Sequence, residues 1–409
     1  MHLARFDIAR FLATAWQKQP LLIRNPWAQW DNPLEPDELA GLACEAGVES
    51  RLIVRGPKGL TLEHGPLAQD RFAGLGADPW TLLVQAVDQH TPQVAALIEP
   101  FRFVPDWRID DVMISYATDG AGVGPHYDQY DVFLIQGLGR RRWRVGPRCD
   151  AATPRQPHAD LALIADFAAT DEWVLEPGDI LYVPPGFAHD GVALGDDCMT
   201  YSIGFRAPSR AELVDGWGAH VADALEDAAD AQADRYADPD LALQDHPGEI
   251  TAAALDRLHA MALEALADRA AFARWFGQMN TGAKYPETDW RPEAPADAQD
   301  VAQALAQGVP LRRNPAQRLA FVRDVGGTGT GTALLFADGQ CHADVPLALA
   351  QALCGGADIL LDPALAGAPG TAALVTALID QGTLAFDDGS DEDSDDDGDG
   401  DGDGDDWAD

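Results

Sequence analysis

Residues 124–146 read GPHYDQYDVFLIQGLGRRRWRVG, and the reading of this stretch decides the fold. DVFLIQG and RRWRVG are two short, β-rich runs, each closed by glycine. In an extended chain, side chains two apart share a face. His126 and Asp128 therefore project together. Arg141, Trp143 and Val145 form one face, and Arg140, Arg142 and Arg144 form the other. The same texture surrounds the stretch: DDVMISYA, EWVLE, DILYVP and CMTYSIGF alternate with Gly/Pro turns between about 100 and 207. Short strands punctuated in this way predict an all-β sandwich or barrel.

Outward from this block the texture changes. Residues 5–19 carry helical apolar spacing and stop at Pro20, after which LLI reads as a strand. A helix is expected over 36–44, with Asp37 and Glu38 suited to its first turn. SRLIVRG reads as a strand, and residues 81–101 read as helical apart from a break at Pro92. After Pro208, residues 211–237 and 250–279 are Ala/Leu-rich and amphipathic. A Pro/Asp/Ala-rich connector is expected over 279–312. The block 313–386 then mixes strands (RLAFVRD, TALLFAD, TLAFDD) with two short helices, a winged-helix-like order.

Composition restricts the function. The chain has 409 residues and a formal charge of −39. Fourteen of its acids lie in 387–409, so the remaining 386 residues still carry −25. A body of that sign repels phosphate backbones and attracts basic proteins, which excludes direct nucleic-acid binding as the first expectation. Five scattered cysteines without CxxC spacing argue for reduced thiols in a cytoplasmic protein. The first 16 residues hold no apolar core of a signal peptide, and no run is long enough to span a membrane. The tail 387–409 contains part of a calcium-loop spacing (Asp395, Asp397, Asp399, Gly400), but no helices flank it, so it reads as a solvating acidic tail.

His126 and Asp128 admit two readings: metal ligands, or a core histidine bonded to a nearby carboxylate. Two histidines and one carboxylate would leave coordination positions open, as a non-haem iron oxygenase requires. The best second histidine is His189, which follows a strand and a Pro-Pro-Gly turn, whereas His158 sits in a polar loop. Arg141 shares the inward face with Trp143 and Val145. A buried arginine there needs a partner, which could be a bound dicarboxylate or a protein carboxylate.

GPHYDQYDVFLIQGLGRRRWRVG, EPGDILYVPPGFAHDG and MTYSIGFRAP together resemble the bacterial ribosomal oxygenases of the JmjC group. The resemblance is close over about 100–210 and covers the rest in layout. It implies an α+β chain: a double-stranded β-helix (JmjC/cupin jelly roll) over 1–207, a helical dimerisation region over 208–278 and a winged-helix-like domain over 279–386. It further implies an Fe(II)- and 2-oxoglutarate-dependent dioxygenase that hydroxylates C3 of an arginine in a basic protein of the large ribosomal subunit, working as a homodimer. A histidine-hydroxylating relative would share the iron site, and a non-catalytic cupin-type binding protein is the other alternative. By the same resemblance His126, Asp128 and His189 match the iron ligands, and Arg141 matches the residue that holds the distal carboxylate of 2-oxoglutarate. Ser202, in the strand after His189, would assist at the co-substrate, and Tyr116 and Ser115, in the strand before His126, would be either lining residues or ordinary strand polars. The acidic tail departs from the family pattern.

Overall fold

The computed structural model describes residues 1–158, 160–227, 235–243, 245–323 and 331–387. The acidic tail and its calcium-like spacing lie outside these residues, apart from Asp387. By packing, the described chain forms two compact units, one of Met1–Asp289 with Pro315–Cys354, the other of Trp290–Asn314 with the chain from Gly355 onward.

The first unit is built on nine strands: β1 (Leu21–Ile23), β2 (Ser50–Gly56), β3 (Gly59–His64), β4 (Trp80–Val84), β5 (Ile109–Ala117), β6 (Asp131–Arg148), β7 (Asp171–Leu175), β8 (Ile180–Val183) and β9 (Phe187–Phe205). Their hydrogen-bonded order is β1-β8-β6-β9-β5-β4-β2-β3, with β7 also on β6. The two runs of the opening stretch are one strand, β6, bent at Gly137–Gly139. Its first half pairs with β8 and its second with β7, while β9 follows it along both halves. Glycine is required at the bend: Gly139 adopts φ +60°, and a Cβ there would lie 2.7 Å from the Asp197 carbonyl oxygen.

Alternation along β6 separates two cores. Phe133 and Ile135 face a large aromatic core with Phe11, Trp27, Phe101, Tyr182, Tyr201 and Phe205. Val132, Leu134, Trp143 and Val145 face the jelly-roll interior with Leu175, Leu181 and Val183. The first core is closed by the helix Ile8–Thr14, which starts where the Asp7 side chain accepts the Arg10 N–H at 2.9 Å.

Two expectations are corrected here. Residues 81–84 are strand β4, not helix. A continuous apolar run does not distinguish the two, and Ala86 in the left-handed region (φ 53°) prevents helical continuation to the short helix Pro92–Ala95. The expected connector over 279–312 contains the helix Ala298–Gln307. Its N-cap Asp297 accepts from Gln299 and Asp300, and its Val301 and Leu305 are buried.

The remainder of the first unit holds the helices Arg210–Asp227, Ala252–Leu266 and Arg269–Thr281, the three-stranded sheet of Leu319–Arg323, Thr332–Ala337 and Gln340–Pro346, and the helix Leu347–Leu353. The second unit packs Ala298–Gln307 and Thr371–Asp380 with the small sheet of Leu311–Arg313, Asp358–Ile359 and Leu384–Phe386. Among the described residues no helix is long and apolar enough to cross a membrane, and no disulfide joins the cysteines.

Candidate metal centre

Just ahead of β6, residues 126–128 run outside any strand, contrary to the expected strand placement. His126 is nevertheless fixed by an isolated bridge to His189 at the start of β9. The His126 N–H donates to the His189 carbonyl at 3.0 Å, and the His189 N–H returns to the His126 carbonyl at 2.8 Å. This reciprocal pair brings residues 63 apart in sequence side by side, with imidazole centroids 4.3 Å apart. Asp128 Oδ2 lies 3.5 Å from His189 Nε2 and 3.9 Å from His126 Nε2. The three donor atoms fall within 4.8 Å of one another.

Both rings are oriented by their far nitrogens. His126 Nδ1 donates to the Gly124 carbonyl at 2.8 Å, and His189 Nδ1 donates to the Phe187 carbonyl at 3.0 Å. That tautomer leaves both Nε2 atoms, the ones nearer Asp128, unprotonated and free to ligate. Burial, reinforced by the neighbouring His126, holds the His189 pKa well below the ordinary histidine value and keeps the ring neutral. Neutral imidazoles and a carboxylate on a shared centre make a donor set suited to a divalent transition metal with open positions, so the residues present fit an iron ion.

The triad opens into a cavity of about 320 Å³, walled by β5, β6 and β9. Arg141 reaches into it at 3% exposure, its guanidinium carbon 5.7 Å over the Trp143 ring, and its buried Nη2 has no hydrogen-bond partner. A cavity-lining arginine with an orphaned guanidinium nitrogen is suited to receive an anion. Ser202 and Ser115 line the same wall, together with Thr200, which the sequence reading missed. Thr200 lies two residues before Ser202 on β9, so strand parity was the signal for it. Tyr116 is corrected. It follows Ser115 on β5 and therefore faces away. Its hydroxyl donates to Asp197 at 2.7 Å and its ring packs 5.4 Å from that of Trp80.

Asp131 and Asp190, close to the ligands in sequence, are committed inside the fold. Asp131 accepts from Tyr182 at 2.6 Å, Gln17 at 2.9 Å and Arg108 at 3.1 Å. Asp190 pairs with Arg144 directly across the β6–β9 ladder. That gives one of the outward arginines a structural task. Residues 160–163 close one side of the cavity. Their segment is held by the Ile164 N–H donating to the Pro125 carbonyl at 2.8 Å, one residue before His126.

Known proteins carry the same arrangement of parts. A JmjC domain profile matches residues 96–213, and a ROXA-like winged-helix profile matches 264–385. The ribosomal protein uL16 3-hydroxylase of Escherichia coli K12 is 42% identical over 314 residues, 77% of this chain and 82% of that protein. The X-ray structure of E. coli YcfD superposes with a TM-score of 0.85 at 36% identity, over 94% of this chain and all (100%) of that one. The complex of YcfD, a ribosomal oxygenase from E. coli, with cobalt and 2-oxoglutarate superposes with a TM-score of 0.81 at 36% identity, over 94% of this chain and 99% of that one. With identity of this extent across most of both chains, this protein belongs to the JmjC-domain ribosomal oxygenases.

Proposed function

We propose that this chain is an Fe(II)- and 2-oxoglutarate-dependent hydroxylase acting on C3 of an arginine side chain in a large-subunit ribosomal protein, the counterpart of uL16 being the first candidate. One observation carries the reading: three donor atoms within 4.8 Å share a cavity with a buried, unpartnered guanidinium nitrogen. Its finer target rests on the 42% identity to a uL16 3-hydroxylase.

In this reading His126, Asp128 and His189 hold the iron, and Arg141 takes the distal carboxylate of 2-oxoglutarate, with the Ser202 hydroxyl on the same wall. Bound there, Fe(II) with 2-oxoglutarate and O2 supplies oxidative decarboxylation to succinate and CO2, coupled to insertion of one oxygen atom into an unactivated C–H bond. The chain's own work is positional. The Nδ1–carbonyl bonds fix the ligand rings, and the apolar walls of Val132, Leu134 and Trp143 strengthen the Arg141–carboxylate attraction by excluding water. Tyr130, 43% exposed, stands where the cavity opens and offers an aromatic face to an arriving cation. The negative body steers a basic protein toward it.

The partition into a JmjC unit over 1–207, a helical dimerisation region over 208–278 and a winged-helix-like domain over 279–386 belongs to the same reading. So do a homodimer built on the helical region and a cytoplasmic location. Incubation with Fe(II), 2-oxoglutarate and ribosomal proteins, followed by mass spectrometry, should add one oxygen to an arginine and form succinate in step. His126→Ala should lose iron and succinate together. Oxygen on a histidine would reassign the target. Bound iron with neither succinate nor a modified residue would leave a non-catalytic binding protein.

A further inference from the structure

At the bend of β6 the opposite strand loops out. Arg140 pairs with Leu194 and Leu138 with Met199, so residues 195–198 have no partner on β6. Cys198, fully buried, sits at the end of this bulge. Its Sγ accepts from Arg141 Nε at 3.4 Å and from Gln136 Nε2 at 3.5 Å. Gln136, also fully buried, is itself fixed: its Nε2 donates to the Leu138 and Met199 carbonyls at 2.7 and 3.2 Å, and its Oε1 accepts from the Thr200 hydroxyl at 3.3 Å. A chain of hydrogen bonds thus runs from the cavity wall at Thr200 through the bend to the back of the Arg141 guanidinium.

We propose that Cys198, held by Gln136, is a positioning residue that aims the Arg141 guanidinium at the distal carboxylate of the co-substrate. The inference rests on the assignment of Arg141 to that carboxylate. Its physical basis is the softness of the acceptor. A thiol is a weak hydrogen-bond acceptor without charge. It fixes Nε, and Trp143 fixes the plane of the guanidinium from its face, yet neither neutralises the cation. The buried Nη2 keeps its unmet demand for an anion. A carboxylate at position 198 would satisfy the arginine internally and leave a bound dicarboxylate nothing to gain.

The test is calorimetric titration of 2-oxoglutarate, and separately of 2-oxobutyrate, into the anaerobic Fe(II)-loaded protein. 2-Oxobutyrate keeps the chelating end and lacks the distal carboxylate. Cys198→Ala should weaken 2-oxoglutarate binding about 5- to 20-fold, the loss expected for one positioned charge-assisted contact, and leave 2-oxobutyrate within twofold of the parent. Cys198→Ser should recover most of the loss, and Cys198→Asp should bind 2-oxoglutarate more weakly than Cys198→Ala. Arg141→Met separates the two levels. If it leaves 2-oxoglutarate affinity unchanged, the assignment of Arg141 falls and the inference with it. If it weakens binding while Cys198→Ala does not, the inference alone is overturned. Equal weakening of both ligands by Cys198→Ala would also overturn it, because that is the signature of general damage to the fold. Should Cys198→Ala not fold, Gln136→Leu, which removes the group holding the thiol, is read by the same criterion.

Discussion

Asp88 is a carboxylic acid sealed inside the first unit, where its Oδ1 accepts the Val112 N–H at 2.7 Å at the start of the strand that walls the cavity. Burial first, and then the neighbouring Asp111, raise its pKa to about 7 against the Val112 hydrogen bond and the charge of Lys284. A folded-state pKa above the unfolded value favours the folded chain only while the group is protonated. The contribution is complete below pH ~4 and is lost as pH rises through ~7, a decline of about 4 kcal/mol. Asp88→Asn keeps an acceptor for Val112 and removes the ionisation. Chemical denaturation across pH 5–8 should find the variant more stable than the parent at pH 8, with the gap closing toward pH 5. A gap independent of pH would show that Asp88 is already ionised in the folded protein at pH 5, so that burial does not raise its pKa.

At the scale of elements, the β6–β9 pair carries the site, because one ladder aligns His189, Trp143 and Arg141. Gly191 on β9 pairs with Trp143, and a Cβ there would lie 2.7 Å from two carbons of the indole. The ring is packed and cannot yield freely. It lies 5.9 Å from the His189 ring and 5.7 Å from the Arg141 guanidinium. Gly191→Ala should therefore lower stability by about 1–3 kcal/mol through overpacking and weaken iron and 2-oxoglutarate binding together. Unchanged thermal unfolding and ligand titration would show that the strands slide apart without moving Trp143. Much of this element was legible, because period-two alternation distinguishes Arg141 from its neighbours and Val132 from Phe133. Tyr116 was misread for want of that parity: it sits beside Ser115 in sequence but on the opposite face. The reciprocal His126–His189 bridge could not be read at all, since backbone pairing between residues 63 apart leaves no mark on side-chain type. TLLV was ambiguous for a different reason, being too short and uniformly apolar to show either period.

At the scale of the molecule, two properties pull against each other. The helices after the jelly roll leave apolar side chains in solvent. Val214 is 65% exposed and Leu255 54%, and on the helix Ala252–Leu266 the residues Leu255, Leu258 and Leu266 fall on one side. Leu255 and Leu258 are only about half exposed, 54% and 46%, so covering them in each of two copies is worth about 3–6 kcal/mol, half of the 1.5–3 kcal/mol per fully exposed leucine, before the entropy lost on association. That is the physical case for a second copy of this chain as the occupant. The opposing property is charge, since each copy carries −39 and repels its like over a range of about 10 Å at 0.1 M salt and about 3 Å at 1 M. Self-association should therefore tighten as salt rises, the reverse of the weakening expected for capture of a basic substrate. Sedimentation velocity from about 0.05 to about 1 M salt, over which the screening length falls from roughly 14 Å to about 3 Å, measures this. The parent should dimerise more tightly at the high end, and the double variant Leu255→Asp/Leu258→Asp should sediment as a monomer throughout with its helical circular dichroism retained. A parent that stays monomeric at every salt would remove the helical region as a dimer interface, and a double variant that still dimerises would move the interface elsewhere on the chain.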